Sequence, residues 1–331
     1  MSQLDSMYAA VEFIEANLKQ PIRVADMADS VSYSLYHFCR TFNATVRHTP
    51  YDYLMRRRLT ESARELVQSD RKIIDISYDY QFNNPETYSR AFRRMFAMQP
   101  SQWRKRGLIE DRRLMPRLSL AYLEHINRGE YLKPVLVEKG AFQVAGLMTL
   151  VAGDRAVTEK LWEILAQELE RLGIKPERLS EKREICHSER LEGAKNLVAD
   201  ESGGDSSVAA LPQNDINAGF QIPIENYYGV IWYPEDGERE RYFYLAGIEV
   251  PGTDISDSAL VVKSIPSSKY ARFIHKGPSR CLRYTLEYIY HNWLHKSGER
   301  LAYAFELETY QGELGGWDHE EAERGIYIPI E

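Results

Sequence analysis

The feature that most constrains this chain is a pattern that occurs twice in its first hundred residues, offset by about 50 positions. The first copy is a short apolar-periodic run, Val24, Ala25, Met27, Ala28 and Val31. A turn at Ser32 and Tyr33 follows, and then Ser34, a residue type suited to cap a helix that continues through Phe38 and Phe42. The second copy has Ile74, Ile76 and Tyr80 in the short run, Phe82 at the turn, and Tyr88 and Phe92 on the inward stripe. Asn84 can cap its second helix while Pro85 takes the first helical position, where the missing N–H costs nothing, so residues 85–96 are predicted to be helical. Arg40 and Arg90 occupy corresponding positions. Two helix-turn-helix units are therefore expected. A preceding helix carries Val11, Ile14 and Leu18 and stops at Pro21. A helix opened by Pro50 separates the units, with Leu54, Ala63, Leu66 and Val67 packing on both and Arg56, Arg57 and Arg58 expected near solvent.

Charge supports a division of labour. The net charge of the 331 residues is −7, but residues 1–115 hold 18 Lys or Arg against 14 Asp or Glu (+4), and the remainder holds 24 against 35 (−11). A basic first third on an acidic remainder fits a polyanion-binding module joined to something that does not touch DNA. Two recognition helices held roughly 34 Å apart in one chain can enter successive major grooves of duplex DNA. The outward positions are Leu35, Tyr36, Cys39 and Arg40 on the first, and Glu86, Thr87 and Arg90 on the second. Arg can address guanine and Glu can accept from cytosine. Arg93, Arg94, Arg104, Lys105 and Arg106 are expected to neutralise phosphates.

Residues 4–106 resemble the AraC-type DNA-binding domain, most specifically at residues 74–103, IDISYDYQFNNPETYSRAFRRMFAMQPSQW. Ser77 replaces a usual Ala, and Gln81 stands where many members have a turn Gly, so Gln81 is expected to enter a left-handed conformation at modest cost. The resemblance assigns base reading to Tyr36, Cys39, Arg40, Glu86, Thr87 and Arg90. It implies promoter DNA and RNA polymerase as partners.

Residues 108–132, with several Arg, Pro116 and Gly129, read as a linker with partial helix between a domain at 1–107 and another at 133–331. The second domain shows one order of elements twice. Extended chain around Val135 to Gly146, a helix over residues 158–172 with Leu161, Trp162, Leu165 and Leu169 inward, and strands over 218–233 and 241–250 form the first set. Strand character over 261–276, a helix over 279–296 and strands over 302–310 and 325–330 form the second. The polar stretch 200–207 is expected to be a loop, and Glu235, Asp236 and Gly237 a turn. The predicted fold is thus α+β and multidomain: an all-α double helix-turn-helix domain, then a duplicated antiparallel sheet with two helices on one side and a groove at the pseudo-symmetric seam.

This half resembles the GyrI-like effector-binding domain. The residues that carry the likeness are Tyr244 to Glu249; Tyr270, Ala271, Phe273, His275 and Gly277; Trp293 before Ser297 and Gly298; and Ile326 to Ile330. The resemblance implies a carboxylate facing a ligand cavity at Glu308, next to Tyr310, with Glu306 on the same strand face as the alternative. A carboxylate ringed by Tyr228, Trp232, Tyr244, Trp293 and Tyr310 suits an amphipathic organic cation. Two other roles are implied for this half: hydrolysis of a reactive small molecule with Glu308 as base, or binding of another protein. No Ser-His-Asp set, phosphate-binding loop or metal-ligand spacing is present in the sequence, no cofactor is expected, and Cys39, Cys186 and Cys281 lie far apart. The start MSQLDSMYAA lacks a signal-peptide pattern and no apolar run reaches the roughly 20 residues of a membrane span, so a cytoplasmic protein is expected.

Overall fold

A computed structural model describes residues 2–109, 113–128, 132–152, 156–173, 227–234, 241–250, 259–310 and 319–331. The loop expected over 200–207, the turn at 235–237 and the first part of the strand expected over 218–233 lie outside the described residues.

The repeat becomes two helix-turn-helix units. Helix α1 (Gln3–Ala16) precedes α2 (Val24–Ser30) and α3 (Leu35–Val46). The central helix α4 (Pro50–Gln68) then leads to α5 (Ile73–Asp79), α6 (Pro85–Phe96) and α7 (Pro100–Arg106). Ser34 and Asn84 cap α3 and α6, accepting from the amides of His37 and Thr87 at 3.4 and 2.7 Å. Both turns pass through a left-handed residue, Ser32 (φ 60°) and Gln81 (φ 64°), and both second helices end on one, Arg47 (φ 64°) and Ala97 (φ 59°). Gln81 holds its conformation with a side-chain bond to the Lys19 carbonyl at 2.8 Å.

Helix α4 is shared. Its Tyr53 and Leu54 belong to the first core with Phe38 and Phe42, while Leu59, Ala63 and Leu66 belong to the second with Tyr88, Phe92 and Trp103. This explains a correction: Arg56, Arg57 and Arg58 are not near solvent but buried. Three consecutive helical residues span most of the circumference, and a helix packed along its sides has no open face there. The cost of burying the cations is offset by partners. Arg57 reaches Glu15 (2.7 Å), Glu61 (2.8 Å) and the Met115 carbonyl (2.5 Å). Arg58 donates to the Leu18 and Gln20 carbonyls, and Arg56 to Asp52.

The segment read as a linker does more than space the domains. It contains α8 (Leu120–Asn127), and Met115, Leu118, Tyr122, Leu123 and Ile126 complete the first helical core.

Among the described residues, eight antiparallel strands follow: β1 (Val135–Lys139), β2 (Phe142–Ala152), β3 (Tyr227–Trp232), β4 (Arg241–Val250), β5 (Val261–Ile265), β6 (Ser268–Lys276), β7 (Phe305–Tyr310) and β8 (Glu323–Ile330). Their order, β1-β6-β8-β7-β3-β4-β2-β5, is the same read from either edge when β1 to β4 are exchanged with β5 to β8. The duplication is therefore a pseudo-twofold with β3 and β7 at its seam. Helix α9 (Ala156–Arg171) covers one half of one face through Trp162, Leu165 and Leu169. The other half of that face packs on a composite helix: α10 (Leu282–Tyr288), a π-helical turn (Ile289–Trp293) and α11 (Leu294–Ser297). Leu282 and Ile289 pack there on Phe273, Ile326 and Ile328.

Candidate functional sites: the recognition helices and the sheet seam

Capping and the inward Phe and Tyr stripe fix which faces of α3 and α6 look outward. Tyr36 is 78% exposed and Leu35 51%. Arg40, Glu86, Thr87, Arg90, Arg93 and Arg94 are exposed, whereas Cys39 is half-buried against the first core. Glu86 and Arg90 approach to 3.7 Å with both side chains largely exposed, a weak pair that leaves the guanidinium free to reorient. Arg104, expected at a phosphate, is engaged within the protein: its guanidinium donates to the carbonyls of Leu66 (2.9 Å) and Arg71 (2.7 Å), tying α7 to the end of α4. His37 was missed; it is exposed, stacks on Tyr33 at 4.9 Å between ring centroids, and is the repeat partner of Thr87. The 50-residue offset was the signal that could have found it.

The second site lies where β3 meets β7. Register pairs Gly229 with Glu308, Ile231 with Glu306 and Tyr227 with Tyr310. Directly paired antiparallel residues share a face, and this is the face the helices cover. Glu306 and Glu308 are fully buried. A chain of donors ends on Glu308: the Trp162 indole donates to the Tyr244 hydroxyl (3.1 Å), Tyr244 and Tyr310 hydroxyls bond at 2.9 Å, and Tyr310 donates to the Glu308 carboxylate. Glu306 accepts from Tyr290, in the π-helical turn, at 2.7 Å. Gly229 is what lets Tyr244 lie across β3, since a Cβ there would sit 2.4 Å from the Tyr244 hydroxyl oxygen. Beside Tyr310, the Arg324 guanidinium lies 5.2 Å from its ring centroid. Next to Arg324, His275 is buried and pushed down to about 4, first by burial and then by the charge of Arg324.

The seam gathers Glu308, Glu306, Tyr310 and Tyr244 and separates them from Tyr228 and Trp232. Strand alternation sends those two to the opposite face, because Gly229 occupies the position facing Glu308. Tyr228 there bonds Glu249 (3.0 Å) and Lys139 (3.1 Å), and Trp232 packs on Phe305. Trp293 packs on Phe273 within the helix layer. Trp162, Tyr290 and Gly229 are the site residues the sequence reading missed. Trp162 was legible as inward, and a lone Gly in the aromatic run YYGVIW signals a close approach. Among the described residues no cluster of three His, Cys, Asp or Glu is arranged for a metal, and no helix is long and apolar enough to cross a membrane.

These features define a protein of two parts, a double helix-turn-helix domain and a separate duplicated domain with a buried carboxylate at its seam. A family model described as a helix-turn-helix domain matches residues 27–106, and one described as an integron-associated effector binding protein matches 209–330. Neither is a catalytic family. The regulatory protein SoxS of Salmonella typhimurium is 33% identical over 106 residues, 32% of this chain and 99% of that protein. The uncharacterized HTH-type transcriptional regulator YbfP of Bacillus subtilis is 35% identical over 94 residues, 28% of this chain and 32% of that protein. The chain thus spans about a third of the length of such longer curated relatives. A solved structure of the EcmrR C-terminal domain is 16% identical, with a TM-score of 0.38, covering 60% of this chain and 97% of that one. The chain belongs to the AraC-type helix-turn-helix regulators and carries a C-terminal effector-binding domain of the GyrI-like kind.

Proposed function

We propose that this protein is a one-component transcription regulator in which an amphipathic organic cation at the sheet seam changes how the helical domain occupies promoter DNA, or meets RNA polymerase. The observation that carries the effector side is Glu308, fully buried at the end of the hydrogen-bond chain from the Trp162 indole through the Tyr244 and Tyr310 hydroxyls. A buried carboxylate is costly, and a cation brought beside it offsets that cost while the rings supply apolar area and quadrupole attraction. Because the carboxylate is enclosed, entry requires side chains or helices at the seam to part. On the DNA side, α3 and α6 present Tyr36, Arg40, Glu86, Thr87 and Arg90 from one rigid chain, so two successive major grooves can be read without a dimer.

The test is calorimetric titration of the full chain with tetraphenylphosphonium and with tetraphenylborate, an anion of the same shape, paired with measurement of promoter-fragment affinity. Binding of the cation alone, weakened about tenfold or more in Glu308→Gln and accompanied by a change in DNA affinity, supports the proposal. Equal binding of both ions, or an unaltered Glu308→Gln, refutes the role of the carboxylate.

A further inference from the structure

The effector domain grips the end of the first recognition helix. The final carbonyls of a helix have no partner within it and need one from elsewhere. At the end of α3 they find three. Asn127 of α8 donates to the Thr45 carbonyl at 2.9 Å; from the effector domain, Asn292 donates to the Arg47 carbonyl at 2.9 Å, and Lys296 donates to the same oxygen. Arg47 needs holding, since it closes α3 in a left-handed conformation (φ 64°) that is costly for a residue with a side chain.

Asn292 sits in the π-helical turn, where the Leu294 N–H reaches back five residues to the Ile289 carbonyl. Two residues earlier in that turn, Tyr290 donates to Glu306 at the seam. One turn of backbone therefore touches the effector site with one side chain and the recognition helix with another. A π-helical turn holds one residue more than an α-turn, and its relaxation to α-helix rotates the residues around it. Both sites therefore bear on the geometry of this one turn.

We infer that Tyr290 and Asn292 are the positioning residues that transmit occupancy of the seam to α3. A cation at the seam competes with the Tyr290 hydroxyl for Glu306; loss of that bond lets the turn relax, Asn292 leaves the Arg47 carbonyl, and the last turn of α3 loosens. This rests on the reading of the seam as an effector site, but its core, the coupling of Tyr290 to Arg47, can be measured without any ligand.

Hydrogen exchange of the amides over residues 43–48, which include the Arg47 N–H bonded to Asn43, reads the end of α3 directly. In the full chain, Asn292→Ala should raise exchange there roughly three- to tenfold, the worth of one hydrogen bond. Tyr290→Phe, which removes only a hydroxyl some distance from α3 in the chain, should raise it in the same direction, and the double variant should exceed neither single by much. Lys296→Met is the second clamp variant if Asn292→Ala folds poorly. Unchanged exchange in a folded Tyr290→Phe, or full additivity in the double variant, overturns the inference. Saturating tetraphenylphosphonium should raise exchange in the wild type and not in Tyr290→Phe. Absence of calorimetric binding by that ion overturns the cation reading of the seam, and the ligand-free cycle then decides the coupling by itself.

Discussion

Lowering the pH from 7 to 5 should weaken this protein through one buried pair of histidines. His125 on α8 and His275 on β6 both bond the Thr285 hydroxyl at 2.8 Å, one on each side, with their rings 5.5 Å apart. A hydroxyl can donate to one ring nitrogen and accept from the other ring's N–H, so the trio is satisfied when both rings are neutral. Burial pushes both down to about 4, with the charge of Arg128 adding to it for His125, and Arg324 and then His125 for His275. The unfolded chain titrates its histidines near 6.5 and so binds more protons than the folded chain between the two values; stability falls as the pH drops through that window. From pH 7 to 5 the linkage gives about 2 kcal/mol for each histidine. Carboxylates held low, such as Asp52 at about 2, lose their contribution below this range, while His48, also lowered chiefly by burial, adds to the background. His275→Gln removes one titrating group and keeps the ability to bond Thr285, which isolates the effect. Urea unfolding followed by tryptophan fluorescence at both pH values should show the variant losing about 2 kcal/mol less than the wild type on acidification. A variant that keeps the whole wild-type loss would refute the assignment.

Gly229→Ala would drive a methyl into Tyr244 and disturb its bonds to Trp162 and Tyr310, so a loss of about 2–4 kcal/mol in chemical unfolding is expected, with part recovered in the double variant Gly229→Ala/Tyr244→Phe; no loss would mean the seam is loosely packed. Arg90→Ala should cost about 1–3 kcal/mol of DNA affinity and relax sequence preference, whereas Arg104→Ala, having lost two carbonyl bonds, should lower stability by about 1–3 kcal/mol with little change in the salt dependence of binding. Comparing filter-binding salt slopes with thermal unfolding separates the two, and a reduced slope in Arg104→Ala would restore it to the phosphate contacts.

The two helix-turn-helix units were legible because their signals are local. Ser34, Asn84 and Pro85 announce helix starts within three residues of where they act, and the inward aromatic stripe has the period of a helix. Period-two alternation likewise placed Glu306, Glu308 and Tyr310 on one face. What alternation within a strand cannot give is the register of its neighbour. Tyr228 and Gly229 differ by one position, yet only the pairing of β3 with β7, about 80 residues apart in sequence, decides which of them meets Glu308. The same limit hid the fate of the arginines. Arg57 and Arg104 look like surface residues until Glu15, the Met115 carbonyl and the end of α4 arrive from distant parts of the chain.

The docking of the effector domain is lopsided with respect to the repeat, and this has a consequence for DNA. Asn292 and Lys296 reach the Arg47 carbonyl at the end of α3, and Tyr284 and Tyr288 pack against the first helical core. Arg47 has a repeat partner in Ala97, which closes α6 in the same left-handed conformation, but the hydrogen bonds of Asn292 and Lys296 run to Arg47 in the first unit. An effector can shift an equilibrium only by the contacts it changes, so the response should be read at the half-site under α3. Hydroxyl-radical footprinting of the full chain on promoter DNA, with and without saturating tetraphenylphosphonium, should show altered protection at the α3 half-site and steady protection at the α6 half-site. Base substitutions should separate in the same way: those under α3 should change the size of the effector response, while those under α6 should lower affinity equally in its presence and absence. Altered protection confined to the α6 half-site would mean that the signal travels through the rigid shared helix α4 and not through the grip on Arg47.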